Sequence, residues 1–526
     1  MDLNILVKSY SSALEKLLPM LQKKSKYSYI GVAILCLVLK QAYSLTVPPK
    51  ALRCFPKIGV LTMFKSMYSK EPVLDRTKRL VTPLTNKDHK AYISKIPLNW
   101  TVYVTDPVVA KALLMKSDAF FPKSHDLLNL LGDSSPLTHF LGIESVAISN
   151  GEQWKKQRKI MNPAFHRAMP VKTFGETALD LFALIDQDSN NVPITVFMKN
   201  YTLDALGKSA FGFDFQAMKG DPEGWTKKYD IIVASLFGPA LFFFAKYDFL
   251  LMYLSPKRRR VMKATVEFNE MLENLADKRR QEILDDKMQN IPDSEKDLLT
   301  LMIEADLHES TKTTTKELRE NIALFFLAGH DTTANTLAFC MYNLAKNPHV
   351  QKKAREEILS ILGDEPADVV PTMEDLKQMS YLDMVLKENL RRDGPVDKLM
   401  IRDTAKDVNL AGIFIPKNTK VSVDFAALHF NPKIWHNPES FIPERFEEGG
   451  EYDKHEGLTW GPFSGGSRQC LGLNFSLTEQ RVLLSMILKR YEISISRDSE
   501  HYNRVIYDRY FSFAPKSLKL IFTRRY

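Results

Sequence analysis

The sequence predicts a single, mainly α-helical domain with small β-sheets, carried on an N-terminal apolar helix. Apolar residues keep helical spacing from Leu318 to Leu344, and a second helical run covers Leu473–Leu488. Strand-like alternation is confined to short segments such as Asn99–Val104. From Tyr27 to Val47 the chain carries a single charge, Lys40, and then meets a series of prolines.

Composition sets the limits. The 526 residues, 44% of them hydrophobic, suffice for a large core, and nothing reads as repetitive or disordered. The net charge of +9 suits an acidic protein partner or an anionic membrane surface. No compact basic and aromatic cluster points to nucleic acid. The cysteines are Cys36, Cys54, Cys340 and Cys470, with no C-x-x-C pair. Neither a zinc site nor a disulfide framework is expected, and the thiols read as reduced, with the catalytic region facing the cytosol.

Three parts follow one another along the chain. Residues 1–26 form an N-terminal segment ending in Lys23-Lys24-Ser25-Lys26, and Asp2 and Glu15 set it apart from an acid-free transit peptide. Residues 27–45 form the expected membrane anchor helix. Its centre, Ile30–Leu39, is uncharged, and Lys40 can snorkel, so roughly 20 residues can span a bilayer. A buried core helix is the alternative. Basic residues flank both sides, which leaves the orientation open. Pro48, Pro49 and Pro56 with Gly59 stop the helix and stiffen the connection, and residues 46–526 form the main domain.

Within that domain Asn99–Val104 reads as a strand and Pro107–Ser117 as a short helix. Residues 118–147 read as a loop rich in large apolar side chains, including Phe120, Phe121, Leu127, Leu130, Leu131, Phe140 and Leu141. Gly151 opens a helix on which Trp154 and Arg158 stand at i, i+4 and share a face. Lys155, Lys156 and Lys159 project elsewhere on it, as a docking patch or a solvated face. Thr202–Gly212 is helix-forming. Ile231–Leu254 is strongly apolar, with Phe237, Leu241, Phe242, Phe243, Phe244, Phe249 and Leu251, and Lys257-Arg258-Arg259-Arg260 follows. It reads as a lid dipping into a membrane, or as interior helices with a solvated basic end.

Thr314 and Glu317 make a capping box for the long helix, which Asn347-Pro348 ends. In its middle, Ala328-Gly329-His330-Asp331-Thr332-Thr333 sets a glycine, a charge and hydroxyls among apolar neighbours, costly unless used. Glu388 and Arg391 sit at i, i+3 on one helix face, a common surface pair. The last cluster runs from Phe463 through Gly465, Gly466, Arg468 and Cys470 to Gly472. Its glycines let the backbone pass close to a flat object. Arg468 brings a cation, and the helix start behind it favours a thiolate. A structural cysteine on a glycine turn fits the same residues.

The pattern F-x-x-G-x-R-x-C-x-G over Phe463–Gly472 resembles the haem-ligand loop of the cytochrome P450 family. The resemblance implies that Cys470 is the thiolate ligand of haem iron, with Phe463, Arg468 and Gly472 around the cofactor. Ala328–Thr333 resembles the family's oxygen helix, which implies catalytic roles for Asp331 and Thr332. Trp154 and Arg158 resemble the helix that binds a haem propionate, and Arg402 matches another propionate-binding position. Glu388, Arg391 and Arg445 resemble the family's ion network, structural rather than catalytic. Arg392-Asp393-Gly394-Pro395 departs from the family, which has an apolar residue and prolines there. Either polar groups approach the substrate segment Val396, Leu399 and Met400, or Arg392 and Asp393 pair at a helix end. Asn409–Val423 resembles a strand pair, with Asn418 where glycine is usual, and Tyr510-Phe511-Ser512-Phe513 is expected to present a last loop to the pocket.

By this resemblance, which covers roughly residues 46–526, the chain is expected to be a haem-thiolate monooxygenase. It implies the cytochrome P450 fold, haem b, and NADPH delivering electrons through NADPH-cytochrome P450 reductase, with cytochrome b5 as a further partner. The expected place is the endoplasmic reticulum membrane, with the catalytic domain facing the cytosol. One oxygen atom would enter a C–H bond of a lipophilic small molecule while the other leaves as water. Aromatic pocket segments favour a rigid polycycle, a steroid or terpenoid, over a fatty acid or an aromatic xenobiotic. The competing classes are a rearrangement enzyme of the same fold and a non-enzymatic haem protein. Intact Asp331 and Thr332 speak against both.

Overall fold

A computed structural model describes residues 26–526 except 70, 96–98, 117–118, 168, 237–247, 286, 289–290, 294–295, 308–311 and 510–511. The expected N-terminal segment thus lies outside the described residues up to position 25. So do Phe237, Leu241, Phe242, Phe243 and Phe244 of the expected lid, and Tyr510 and Phe511 of the expected last loop.

The first described element is the helix Lys26–Thr46, long and apolar enough to cross a membrane and not buried inside the protein. Its last turn is tied to the domain. The Ser44 carbonyl accepts from Lys95 Nζ and from the Trp100 indole, both at 3.1 Å, and the Thr46 carbonyl accepts from Lys57 at 2.9 Å.

Beyond this helix lies a four-stranded sheet in the order Ala91–Lys95, Trp100–Val104, Lys420–Val423, Arg402–Asp403. The first pair is antiparallel, with Ala91 opposite Val104. The second is parallel, with Thr101 opposite Lys420, and the third is antiparallel, with Arg402 opposite Val421. Trp100-Thr-Val-Tyr-Val104 is β-branched or aromatic throughout and buried at every position, as a strand covered on both faces should be. Ile93, Val102, Val104, Leu113, Phe121 and Val423 form its apolar cluster. Val408–Leu410 and Ile413–Ile415 make a hairpin, and Asn418 follows at φ +60°. Asparagine is the side chain best suited to that left-handed conformation, which accounts for its standing where glycine was expected.

The rest is mostly helix around one large core. Residues 118–147, expected as a loop, contain two short helices, Asp126–Leu131 and Pro136–Leu141. Pro136 opens the second at its first position, and Gly132 and Gly142 end the two at φ +67° and +63°. The expected capping box of Thr314 and Glu317 starts the long central helix. It runs as α-helix over Thr315–Phe325, makes one turn of π-helix over Phe326–His330, and continues over Asp331–Lys346. Every residue from Thr333 to Ala345 is buried, so this helix crosses the interior. The expected basic cluster Lys257–Arg260 opens the helix Pro256–Leu284. Arg258 pairs with Asp248 at 2.8 Å and Arg259 donates to the Tyr253 carbonyl at 2.6 Å, which joins this helix to Asp248–Leu254.

Asn418 provides a test of the backbone account. Asn418→Gly should leave the melting temperature nearly unchanged, whereas Asn418→Val should cost about 1–2 kcal/mol. Equal melting of the two variants would refute it.

Candidate active site

The loop before the last long helix is shaped by what its backbone must avoid. A Cβ on Gly466, at φ +68°, would stand 2.2 Å from the Leu114 carbonyl oxygen, so only glycine fits. The Cys470 N–H donates to the Phe463 carbonyl at 3.0 Å and closes the loop. The helix Leu473–Arg490 begins directly behind, with Gly472 at its N-cap.

Cys470 has open surface, yet its surroundings are dense enough that burial is the main influence on its thiol, raising the pKa. Both facts hold if the sulfur faces a recess within the domain. Ala328 supports this, because it too is open although its helix neighbours Leu327 and His330 are buried. Against burial, the Gly472 N–H and the charge of Arg158 both favour the anionic sulfur.

Arg158 is thus a cation beside the sulfur in addition to the expected Arg468. The Arg468 guanidinium lies 3.9 Å over the Trp154 ring. It donates to the carbonyls of Val146 and Ser149 at 3.2 and 2.8 Å, and to Asn150 Oδ1 at 3.3 Å. Arg158 instead donates to the Gln469 carbonyl at 3.0 Å, beside the cysteine. Trp154 is 9% exposed, and its indole N–H has no hydrogen-bond partner among the described residues, an orphan donor that calls for an acceptor. Arg402, 1% exposed, lies on the edge strand of the sheet. A soft sulfur ligand combined with an indole donor and two guanidinium groups suits an iron porphyrin, whose propionates need cationic donors.

The central helix supplies the other wall. Its π-turn is pinned by Phe326, stacked on Phe211 at 4.5 Å and packed edge-on against Phe215 and Phe268 at 5.2 and 5.8 Å. Such turns occur often at functional sites. Thr332 Oγ1 donates to the Ala328 carbonyl at 2.6 Å, which fixes its hydroxyl. Asp331 is buried, with Lys199 Nζ and His330 Nδ1 each 3.7 Å from its Oδ1. His330 bonds the Lys199 carbonyl through Nε2 at 3.0 Å and meets Tyr229 edge-on, so it packs locally. Burial lowers its pKa, which keeps it neutral. Thr333 Oγ1 and Ser476 Oγ, 2.9 Å apart, join this helix to the one behind Cys470.

Glu388, Arg391 and Arg445 come together in the interior. Arg391 grips Glu388 with Nε at 2.7 Å and Nη2 at 2.8 Å, and Arg445 Nε lies 3.3 Å from the same carboxylate. Of the two readings of Arg392-Asp393, the structure favours a helix-end network. Their side chains are 3.8 Å apart, Arg392 donates to Asn343 at 2.9 Å, and Asp393 accepts from Asn343 at 2.9 Å and Tyr507 at 2.7 Å. Asn343 and Tyr507 carried no sequence signal. Lys156 is not a free docking charge, since it donates to the Lys312 carbonyl at 2.8 Å and pairs with Glu317 at 3.7 Å.

A sequence model of the family described as Cytochrome P450 matches residues 80–522. The human protein named cytochrome P450 4F8 is 26% identical over 475 residues, covering 88% of this chain and 89% of its own. The taurochenodeoxycholic 6 alpha-hydroxylase of Sus scrofa is 28% identical over 403 residues, 75% of this chain and 76% of its own. The 11-oxo-beta-amyrin 30-oxidase of Glycyrrhiza uralensis is 29% identical over 418 residues, 76% of this chain and 75% of its own. Among solved structures, a mutant cytochrome P450DA heme domain superposes with a TM-score of 0.74 at 21% identity, covering 90% of this chain and 98% of that one.

His429 gives the site region a pH dependence. Burial, aided by Arg391, holds its pKa down to about 3, and its Nε2 accepts the Gly461 N–H at 3.2 Å. The unfolded chain therefore takes up this proton first as pH falls below about 6.5. Stability should be intact above that pH and decline by about 1.4 kcal/mol per pH unit towards pH 3. Denaturant melts of His429→Gln should lack this share of the slope, and an unchanged slope would rule it out.

Proposed function

The chain belongs to the cytochrome P450 family of monooxygenases, and on that premise we propose that it hydroxylates a steroid or terpenoid at the membrane surface. When bound, the haem supplies the oxygen-activating chemistry. Cys470 would hold it through sulfur, with the Gly472 N–H and Arg158 stabilising the negative charge. Trp154, Arg158 and Arg402 would take the propionates, with Phe463, Arg468 and Gly472 around the cofactor. On the substrate side, Thr332 and Asp331 would place a hydroxyl and a carboxylate at the π-turn. Asp331, with Lys199 and His330 beside it, would pass protons inward. Glu388, Arg391 and Arg445 would act only as the frame.

The observation that carries this reading is the Cys470 sulfur, exposed yet set in dense surroundings, with the Gly472 N–H and Arg158 beside it at a helix N-terminus. Two relatives bear names of polycyclic substrates, a bile acid and a triterpene, and this supports a rigid lipophilic substrate. The exposed apolar helix Lys26–Thr46 supports a membrane location, which we propose to be the endoplasmic reticulum, with the domain facing the cytosol. NADPH-cytochrome P450 reductase would supply electrons, with cytochrome b5 as an accessory donor.

Titrating the purified ferric protein with a steroid, then with a long-chain fatty acid, tests the substrate class. A saturable shift of the Soret band to shorter wavelength with the steroid alone is expected. A shift with the fatty acid alone would overturn the assignment. Thr332→Ala should still consume NADPH with the reductase but form about a hundredfold less hydroxylated product. Undiminished product would remove Thr332 from the mechanism.

A further inference from the structure

The chain carries no aspartate or glutamate from Lys16 to Lys70, yet Lys50, Arg53, Lys57, Lys65 and Lys70 follow the apolar helix Lys26–Thr46. Glu71 is the first acidic residue after them. Lys50, Arg53, Lys57 and Lys65 are all exposed, and none has a carboxylate within ion-pair distance among the described residues. The basic residues that come next are answered. Arg76 pairs with Asp397, Lys78 with Glu439 and Arg79 with Glu71.

The fold holds these charges at the end of the apolar helix. Lys57 Nζ donates to the Thr46 carbonyl at 2.9 Å, and Arg53 Nε to the Pro48 carbonyl at 3.2 Å. Thr46 and Pro48 are two residues apart, a span of at most about 7 Å, so the ammonium and the guanidinium lie within roughly 13 Å of each other. Lys50 opens the short turn Lys50–Leu52 between them, and the Arg53 N–H closes on the Lys50 carbonyl at 3.3 Å. The Ile58 N–H donates to the Ile93 carbonyl and the Ile93 N–H to the Pro56 carbonyl, both at 2.9 Å. These bonds clamp the segment to the sheet whose Lys95 and Trp100 hold Ser44. The basic stretch is therefore fixed beside the helix end and is not a loose tether. Leu61, 82% exposed, stands one turn before Lys65 on the helix Val60–Tyr68 and adds an apolar contact on the same face.

Attraction between a basic residue and a charged leaflet fades within a Debye length, so only cations held close to the surface gain from it. We propose that Lys50, Arg53, Lys57 and Lys65 form a collar that binds the headgroups of anionic phospholipids and holds the domain against a negatively charged leaflet. The proposal rests on the membrane location given above to the helix Lys26–Thr46, and adds the kind of lipid and the residues that meet it. The lysines would take phosphate or carboxylate as point charges, and Arg53 would use its remaining N–H groups.

The test uses the full-length, haem-loaded protein in phosphatidylcholine bilayers, with spin-labelled phosphatidylserine or spin-labelled phosphatidylcholine as the probe. The spectrum separates lipid immobilised on the protein from bulk lipid. The serine lipid should be favoured about fivefold in the immobilised fraction. That preference should fall below about twofold in about 1 M salt, where the screening length is roughly 3 Å. Combining Lys50→Gln, Arg53→Gln, Lys57→Gln and Lys65→Gln should abolish the preference and leave the Soret band unchanged. Lys50→Gln with Lys65→Gln removes two charges that bond nothing among the described residues, and should about halve the preference even if the larger variant does not fold. Equal immobilisation of the two lipids, or a preference that survives the substitutions, would overturn the proposal. Equal immobilisation together with a reductase KM raised by the substitutions would assign the surface to an acidic protein instead. No immobilised lipid of either kind would overturn the membrane location itself, and the proposal with it.

Discussion

A carboxylate with none of its side chain exposed has to be answered on every side, and Glu388 is such a group. It takes two N–H groups from Arg391, one from the Ile442 backbone at 3.0 Å and the Arg445 contact at 3.3 Å. Arg391 then reaches the carbonyls of His429 and Pro438, and Arg445 that of Asn437. One buried ion therefore fixes the helix Ser380–Asp393 against three later stretches of backbone. The Trp460 indole adds a bond to the Lys387 carbonyl at 3.1 Å, just before the cysteine loop begins. Buried ion pairs add little net stability, so what this one supplies is a single arrangement of an otherwise irregular segment.

The central helix solves the opposite problem, an irregularity inside a regular element. A π-turn breaks the usual hydrogen-bond spacing, and here aromatic packing holds it. Phe211, Phe215 and Phe268 surround Phe326 at its start, and Tyr229 lies close enough to donate to the Phe326 carbonyl at 3.4 Å. The outcome is an opening at the small residue Ala328, while Gly329 lets Leu206 approach and Leu327 and His330 stay buried. Core packing and site geometry meet at this one turn.

Much of this was legible in sequence where local chemistry decides. The capping box at Thr314, the apolar spacing of the central helix and the β-branched strand ending at Val104 all follow from rules acting over a few residues. The two short helices within residues 118–147 did not, because an apolar run of six fits a helix or a packed loop equally. Arg468 was legible as a cation beside Cys470 but not in its contacts. Its partners are carbonyls more than three hundred residues earlier, and a carbonyl leaves no mark in sequence. Arg158 came to the sulfur by the same kind of long-range meeting. The helix-end network of Arg392 and Asp393 rests on Asn343 and Tyr507, residues with no local signal of their own until the fold brings them together.

The parallel pairing of Thr101–Val104 with Lys420–Val423 has a consequence for how the protein is made. A nascent chain emerges at roughly 5–20 residues per second, so the early strand waits on the order of half a minute for its neighbour. Until then Trp100, Val102 and Val104 have no cover on that edge. During this interval an apolar strand edge stands open to other chains. Holding such an edge apart from other nascent chains is work for a chaperone.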